Sequence, residues 1–126
     1  NLIYKGTSFK KEAGIIAAKE LIEKKERPQA IFAVNDTVAL GVLEGIQEMG
    51  LSVPDDIAVV GFDNIAFSSL NFIQLTTVSQ RLPETAREAV KSLVEIINKK
   101  QKDVIHKIIM DPILKIRKSC GAKKKN

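Results

Sequence analysis

The sequence predicts an α/β fold in which a parallel sheet is flanked by helices, a Rossmann-like arrangement. Two short apolar runs, residues 30–34 and 57–60, have the length and composition of buried parallel strands. Between them, apolar residues recur at helical spacing from about Asp36, the predicted N-cap, to Gly50, the predicted C′ residue. The short connections predict a right-handed strand–helix–strand crossover.

The chain before this unit is predicted to hold one strand and one helix. Residues 1–5 form a short apolar strand, and Ser8 can cap a helix that runs to about Lys25. The apolar stripe of this helix is wide, which predicts contacts on two sides.

The chain after the unit is predicted to continue the α/β pattern. Pro83 suits the first residue of an amphipathic helix that runs to Ile97. The other predicted elements are a β-rich strand at residues 75–80, a polar loop at 98–103, and strands at 104–110 and 113–116.

Two features of the sequence predict close packing. Gly41 and Gly45 lie four residues apart on one helix face, which predicts close backbone approach by the sheet or by a second subunit. Residues 65–74 are too apolar for a solvated loop, so the core or a partner is expected to cover them.

Composition limits the classes of protein. A length of 126 residues allows one domain or a piece of one. No apolar run reaches the roughly 18–20 residues of a membrane span. The single Cys120 fits a reducing cytoplasm, and the single His106, expected in a strand, argues against a His-rich metal site. The net charge of +5 comes from the segment after residue 98; its final lysines suit a solvated end, or contact with nucleic acid or an acidic partner.

Catalytic motifs are absent from the sequence. It has no Gly-x-Ser-x-Gly nucleophile and no Gly-rich phosphate loop. Asp36 and Asp63 would need a third convergent titratable group to form an acid/base or metal site. Asn35 and Asp63 follow predicted parallel strands, at the edge of a sheet where ligands bind, and their side chains suit reversible hydrogen bonding. The sequence therefore predicts binding without a cofactor or a metal.

Four motifs together resemble the lactose/galactose repressor (LacI/GalR) family. They are A-I-F-A-x-N-D-x-x-A-x-G at residues 30–41, G-L-x-V-P-D-D-I-x-V-V-G-F-D at 50–63, L-T-T-V-x-Q at 75–80 and R-x-S at 117–119. The resemblance implies the C-terminal part of a type I periplasmic-binding-protein-like effector domain, with its crossover segment, over residues 1–120 and a basic tail over 121–126. Regulators of this family also carry a helix-turn-helix domain and the first half of the effector domain, which this sequence does not contain.

The resemblance also implies roles for individual residues. Phe9 would stack on the effector, Asn35 and Asp63 would contact its hydroxyls or ring nitrogens, and Gln80 would lie at the crossover between subdomains. Packing at a helix entrance remains the alternative for Phe9, and a cap or turn role for Asn35 and Asp63. The implied dimer surface comprises Val38, Leu40, Gly41, Glu44, Leu70 and Asn71. Ile73, Arg81 and Ala86 depart from the family pattern, which affects local backbone shape rather than the fold.

These observations predict the effector-binding and dimerising region of a cytoplasmic transcription repressor. The implied partners are a small sugar or related metabolite, a second copy of the chain, and operator DNA bound through the helix-turn-helix domain. A periplasmic or lipoprotein sugar-binding protein of an ABC transporter and a small α/β enzyme remain alternatives. No membrane association and no enzymatic activity are expected.

Overall fold

A computed structural model describes residues 3–6, 8–99 and 107–122 and confirms the predicted α/β class. The elements are α1 (Lys11–Ile22), β1 (Ala30–Phe32), α2 (Asp36–Glu48), β2 (Ala58–Phe62), a 3₁₀ turn (Ala66–Ser69), β3 (Thr76–Ser79), α3 (Leu82–Lys99), β4 (Ile113–Lys115) and a second 3₁₀ turn (Lys118–Cys120). Within the described residues the sheet has four strands in the order β1-β2-β3-β4. Strands β1, β2 and β3 are parallel, and β4 runs antiparallel to β3.

The hydrophobic core lies between α2, α1 and the sheet. Strand β2 alternates buried and half-buried residues, and α2 contributes the apolar stripe that its sequence spacing predicts. Strand β1 is less covered than its apolar sequence predicts, because Ala30 and Phe32 are exposed and only Ile31 between them is half-buried. The buried core side chains are Ala18, Ala33, Ala39, Val42, Ile46, Ile57, Val59 and Leu75.

Glycines allow α1 and α2 to pack at backbone distance. A Cβ on Gly41 would overlap the carbonyl oxygen of Lys11, and a Cβ on Gly14 would overlap that of Val38. A Cβ on Gly45 would lie 2.8 Å from the Ile15 carbonyl oxygen. The close approach predicted from Gly41 and Gly45 is therefore confirmed, but the approaching element is α1 of the same chain rather than the sheet or a second subunit. Gly41 is buried against α1 within the chain, and its assignment to the implied dimer surface stays a prediction.

The N-terminal segment differs from the sequence prediction. Residues 3–6 are not in a strand, and residues 1 and 2 lie outside the described residues. Helix α1 begins at Lys11 and ends at Ile22, and its N-cap, Lys10, makes no side-chain capping bond. Ser8 does not cap the helix, because among the described residues its Oγ accepts a hydrogen bond from the Lys10 amide alone, at 3.4 Å, and Lys10 precedes the helix.

Helix α3 matches its prediction but presents its apolar side to solvent. It starts at Leu82, one residue before Pro83, and continues through Lys99, so residues 98 and 99 belong to the helix rather than to a loop. The exposed apolar side chains, each 48–64% accessible, are Leu82, Val90, Leu93, Val94 and Ile97.

The remaining C-terminal predictions are partly tested. The predicted strand at residues 113–116 is present as β4. Residues 107–110 are not in a strand, and residues 104–106, including His106, and the lysines of the basic tail lie outside the described residues. No described helix has the length and the hydropathy needed to cross a membrane.

Candidate functional site

Three predicted site residues come together at one edge of the sheet. The register pairs Phe32 with Val60 and Phe62 with Val78, so the carboxyl ends of β1, β2 and β3 lie side by side. The chain continues from these ends into Asn35, Asp63 and Gln80 respectively. In open α/β sheets this edge is where ligands bind.

Asn35 connects the start of α2 to the segment before α1. Its Oδ1 accepts a hydrogen bond from the Val38 amide at 2.7 Å, which makes Asn35 the N-cap of α2 in place of Asp36. Its Nδ2 donates to the Phe9 carbonyl oxygen at 3.4 Å. The Phe9 ring is 70% exposed. Asn35 therefore has a structural cap role, yet its amide keeps one N–H and one lone pair for a ligand.

Asp63 is presented by a turn with unusual backbone geometry. Asp63 and Asn64 have φ values of +111° and +56°. Gln80 Nε2 donates to Asp63 Oδ1 at 2.5 Å, and both side chains reach solvent. Among the described residues, Asp63 Oδ2 has no hydrogen-bond partner. The carboxylate is thus oriented by Gln80 and offers a second oxygen to a hydroxyl or an N–H donor.

Asp36 is a buried connector rather than a cap or an acid/base partner of Asp63. Its Oδ1 accepts from Thr77 Oγ1 at 2.6 Å, and its Oδ2 accepts from the Ile65 amide at 2.9 Å. A Cβ on Gly61 would overlap Asp36 Oδ1, so only glycine leaves room for this carboxylate. Sequence reasoning missed this role; the two adjacent threonines on β3, whose hydroxyls need partners once buried, were the available signal.

Arg117 and Ser119 connect the segment after β4 to the sheet. Arg117 Nη1 donates to the Leu75 carbonyl oxygen at 2.6 Å, and Nη2 donates to Asn64 Oδ1 at 2.8 Å. Ser119 Oγ donates to the Val59 carbonyl oxygen at 2.6 Å and accepts from the Thr76 amide at 2.8 Å. The R-x-S motif therefore has a physical role that the sequence alone did not reveal.

The residues implied as a dimer surface have mixed environments. Glu44 accepts a hydrogen bond from Lys11 Nζ at 2.6 Å, and this bond raises the pKa of Lys11 above its usual value. Val38 packs against the core, and Leu40 is half-buried. Leu70 and Asn71 are exposed, so association through this surface stays a prediction.

The apolar segment at residues 65–74 is only partly covered within the chain. Ser68 is buried, and Ile73 packs against the core. Phe67 and Phe72 are 60% and 84% exposed. The core therefore covers only part of this segment. The expectation that a partner covers the rest stays a prediction.

An apolar concavity of about 480 Å³ lies between the N-terminal segment, α1 and β1, with Tyr4 and Phe9 among its lining residues. Asn35, Asp63 and Gln80 do not line it. These polar residues instead form an open edge, which is the geometry of one side of a cleft. Across the part of the chain that the structure describes, no group of three or more His, Cys, Asp or Glu could hold a metal ion, and Cys120 is a free thiol.

Comparison with known proteins identifies relatives with this architecture. The periplasmic binding protein-like domain family matches residues 1–120. The chain is 41% identical over 100 residues to the HTH-type transcriptional repressor PurR of Vibrio atlanticus (strain LGP32), covering 79% of this chain and 30% of that protein. It is 39% identical over 104 residues to the arabinose metabolism transcriptional repressor of Geobacillus stearothermophilus, covering 81% of this chain and 29% of that protein. The chain thus spans about three-tenths of the length of the curated relatives it matches.

A solved structure also superposes on the chain. A LacI-family transcriptional regulator from Enterococcus faecium, crystallised with bound ribose, is 30% identical with a TM-score of 0.78. The match covers 90% of this chain and 41% of that one. The fold and the sequence therefore point to the same group of proteins.

Proposed function

Given that the chain belongs to the family of periplasmic binding protein-like domains, in the form found in LacI-family regulators, we propose that it binds a small effector and dimerises within a transcription repressor. Residues 1–120 would form the C-terminal portion of the effector-binding domain, and residues 121–126 a basic tail. The observation that carries this proposal is the convergence of Asn35, Asp63 and Gln80 at the carboxyl edge of the parallel strands.

The chemistry of this edge suits a small sugar or a related metabolite. A sugar ring has an apolar C–H face, which can lie against the exposed Phe9 ring, and hydroxyls at its rim. Asp63 Oδ2 can accept from one hydroxyl, and the Asn35 amide can both donate and accept. The relative named for arabinose metabolism and the solved regulator with bound ribose support this class of effector.

The names of the relatives favour a regulator over the other two functions. Two are named as transcription repressors and one as a transcriptional regulator, and none as an enzyme or a component of a transporter. A repressor would act in the cytoplasm, as a homodimer, on operator DNA bound through a helix-turn-helix domain outside these residues. No step in effector binding requires a cofactor, because the ligand is held by hydrogen bonds and ring contacts alone.

The open edge predicts how affinity should depend on the rest of the protein. Half of a cleft makes half of the contacts and encloses the ligand poorly, so the isolated chain should bind sugars at roughly millimolar affinity or weaker. The full-length regulator should bind more tightly, because a facing subdomain would complete the cleft.

The test is Asp63→Ala in the full-length regulator, titrated by calorimetry with D-ribose, L-arabinose and other small sugars. Loss of a charge-assisted acceptor should cost about 1.5–3 kcal/mol of binding free energy, and sedimentation should show an intact dimer. Asp55→Ala is the matched control, because Asp55 is an exposed aspartate in the turn before β2, at the opposite end of that strand. Unchanged affinity in Asp63→Ala, or loss of its dimer, would mean that Asp63 is a structural turn residue.

A further inference from the structure

We propose that Arg117 and Asp36 are positioning residues that hold the turn at residues 63–65 in the conformation that presents the Asp63 carboxylate. This inference rests on the proposed function, because it takes Asp63 as an effector contact. It adds two residues that do not reach the ligand edge themselves, one of them far along the chain.

The turn at residues 63–65 needs external support. Asp63 and Asn64 both have positive φ, and the +111° of Asp63 lies beyond the usual left-handed region. Asn64 lies in the left-handed region, which asparagine tolerates better than most residues. Asp63 lies beyond that region, so its conformation is not favoured by its residue type. Conformations of this kind persist only when the surrounding structure fixes them.

Each backbone N–H of the turn is tied to another element. The Asp63 amide donates to the Val78 carbonyl oxygen at 2.9 Å, and the Asn64 amide donates to Thr77 Oγ1 at 3.3 Å. The Ile65 amide donates to Asp36 Oδ2 at 2.9 Å. The turn is therefore anchored to β3, which Gln80 follows, and to the start of α2, which Asn35 precedes. The spacing between the three polar contacts is set by these bonds.

The anchors are themselves held in place. Asp36 is fully buried, and its Oδ1 accepts a hydrogen bond from the Thr77 hydroxyl at 2.6 Å. Arg117 reaches Asn64 Oδ1 at 2.8 Å while its other terminal nitrogen donates to the Leu75 carbonyl oxygen and to Ser68 Oγ, at 2.6 and 3.2 Å. A planar guanidinium can donate to these three acceptors at once from its two terminal nitrogens. A lysine ammonium keeps the positive charge but has only one nitrogen from which to donate. The contact with Asn64 spans 53 residues of sequence, so it couples the segment after β4 to the turn.

The experiment measures the turn directly, in the isotopically labelled 126-residue chain. Nuclear magnetic resonance gives the intraresidue amide-to-Hα Overhauser effect and the three-bond coupling, which together report positive φ at Asp63 and Asn64. In Arg117→Lys and Asn64→Ala, we expect loss or exchange broadening of these signals at residues 63–65. Asn64→Asp should retain them, because a carboxylate accepts the same bond from Arg117 and aspartate also tolerates the left-handed region.

Ser119→Ala is the control for a merely structural role. It removes a buried hydroxyl from the same C-terminal segment, so it should lower the melting temperature, but it touches no residue of the turn. If Arg117→Lys fails to fold, Asn64→Ala removes the acceptor of the same contact from a partly exposed position, and Asn64→Gly, which tolerates positive φ, separates loss of this contact from loss of asparagine's own backbone preference. Unchanged signals at residues 63–65 in the variant that folds, or equal changes in Ser119→Ala, would overturn the proposal.

A D-ribose titration of the same samples separates this inference from the proposed function. We expect saturable shifts at Asp63 in the wild type and a several-fold weaker response in Asn64→Ala, with Ser119→Ala unchanged. If the full-length regulator binds none of the sugars titrated by calorimetry, the proposed effector class fails, while the turn signals still decide whether Arg117 positions Asp63.

Discussion

The contact between α1 and α2 makes Gly41→Ala a sharp test of the packing. The substitution adds one methyl group in the interior of α2, where alanine is ordinarily favoured over glycine by about 1 kcal/mol. At this position the new Cβ would overlap the Lys11 carbonyl oxygen and lie 3.1 Å from the Gly14 Cα. Both contacts are backbone, so no side-chain rotamer can relieve them and α1 must move.

The expected loss of stability follows from these opposing terms. Overpacking a core costs typically about 1–3 kcal/mol, and a contact in which only backbone can yield belongs at the upper end. After the helix-propensity gain of about 1 kcal/mol, the net loss should be about 2 kcal/mol. For a chain of this size that is a fall in melting temperature of roughly 8 °C.

Urea and thermal unfolding, followed by circular dichroism, measure this difference. Gly45→Ala is the matched control in the same helix, because its Cβ would lie 2.8 Å from the Ile15 carbonyl oxygen and 2.9 Å from the Ala18 side chain, a smaller overlap. We expect it to cost less than Gly41→Ala. Equal or greater stability for Gly41→Ala than for wild type would refute the inference that backbone contact, rather than side-chain packing, sets the distance between the helices.

Four further outcomes are expected. Asn35→Ala should lose about 1 kcal/mol of unfolding free energy with the α2 cap, and Asn35→Ser should retain most of it in the same thermal melts. The bond to Glu44 raises the pKa of Lys11 above 10.5, so the pair should stabilise the fold below that pH and lose this effect as pH rises through the raised value. Urea unfolding of wild type and Glu44→Gln should therefore converge at high pH, and a pH-independent difference would count against the pair. Sedimentation at ~100 μM should show a two-fold dimer that Leu70→Ser weakens; a clean wild-type monomer would contradict this surface. Operator-length DNA should bind this chain at roughly micromolar affinity or weaker, with strong salt dependence, and nanomolar binding would place DNA recognition within these residues.

Local patterns were sufficient for most of the regular elements. The strand–helix–strand unit has a strong periodic signal, and Gly50, at φ +73°, ends α2 as the sequence predicts. The prediction of a strand at residues 1–5 was wrong for residues 3–5, which the structure describes. An apolar segment forms a strand only if the edge of a sheet is available for it to pair with. Tyr4 instead lines the apolar concavity beside β1. Ser8 failed as a cap for a related reason, since residue type alone does not fix where α1 begins.

The site was predictable only where it depends on strand ends. Asp63 follows β2 directly and Asn35 comes three residues after the end of β1, so their position at one edge follows from the parallel topology. The role of Asp36 depends on Thr77, 41 residues away, and that of Arg117 on Asn64, 53 residues away. The adjacent threonines of β3 indicate that buried hydroxyls need partners, but a single sequence does not show which distant residue supplies them. The prediction that Asp36 is the N-cap of α2 was wrong for the same reason, because the Asp36 carboxylate bonds to the distant Thr77 hydroxyl and Asn35 caps the helix.

The exposed apolar face of α3 has consequences for handling the protein in solution. Apolar attraction is not screened by salt, it is strengthened by sulfate, and it weakens on cooling. Association through Val90, Leu93 and Ile97 should therefore increase in ammonium sulfate and on warming toward room temperature, whereas contacts between exposed charges would weaken as salt is added. Concentrated stocks should stay dispersed longest when they are kept cold and free of sulfate.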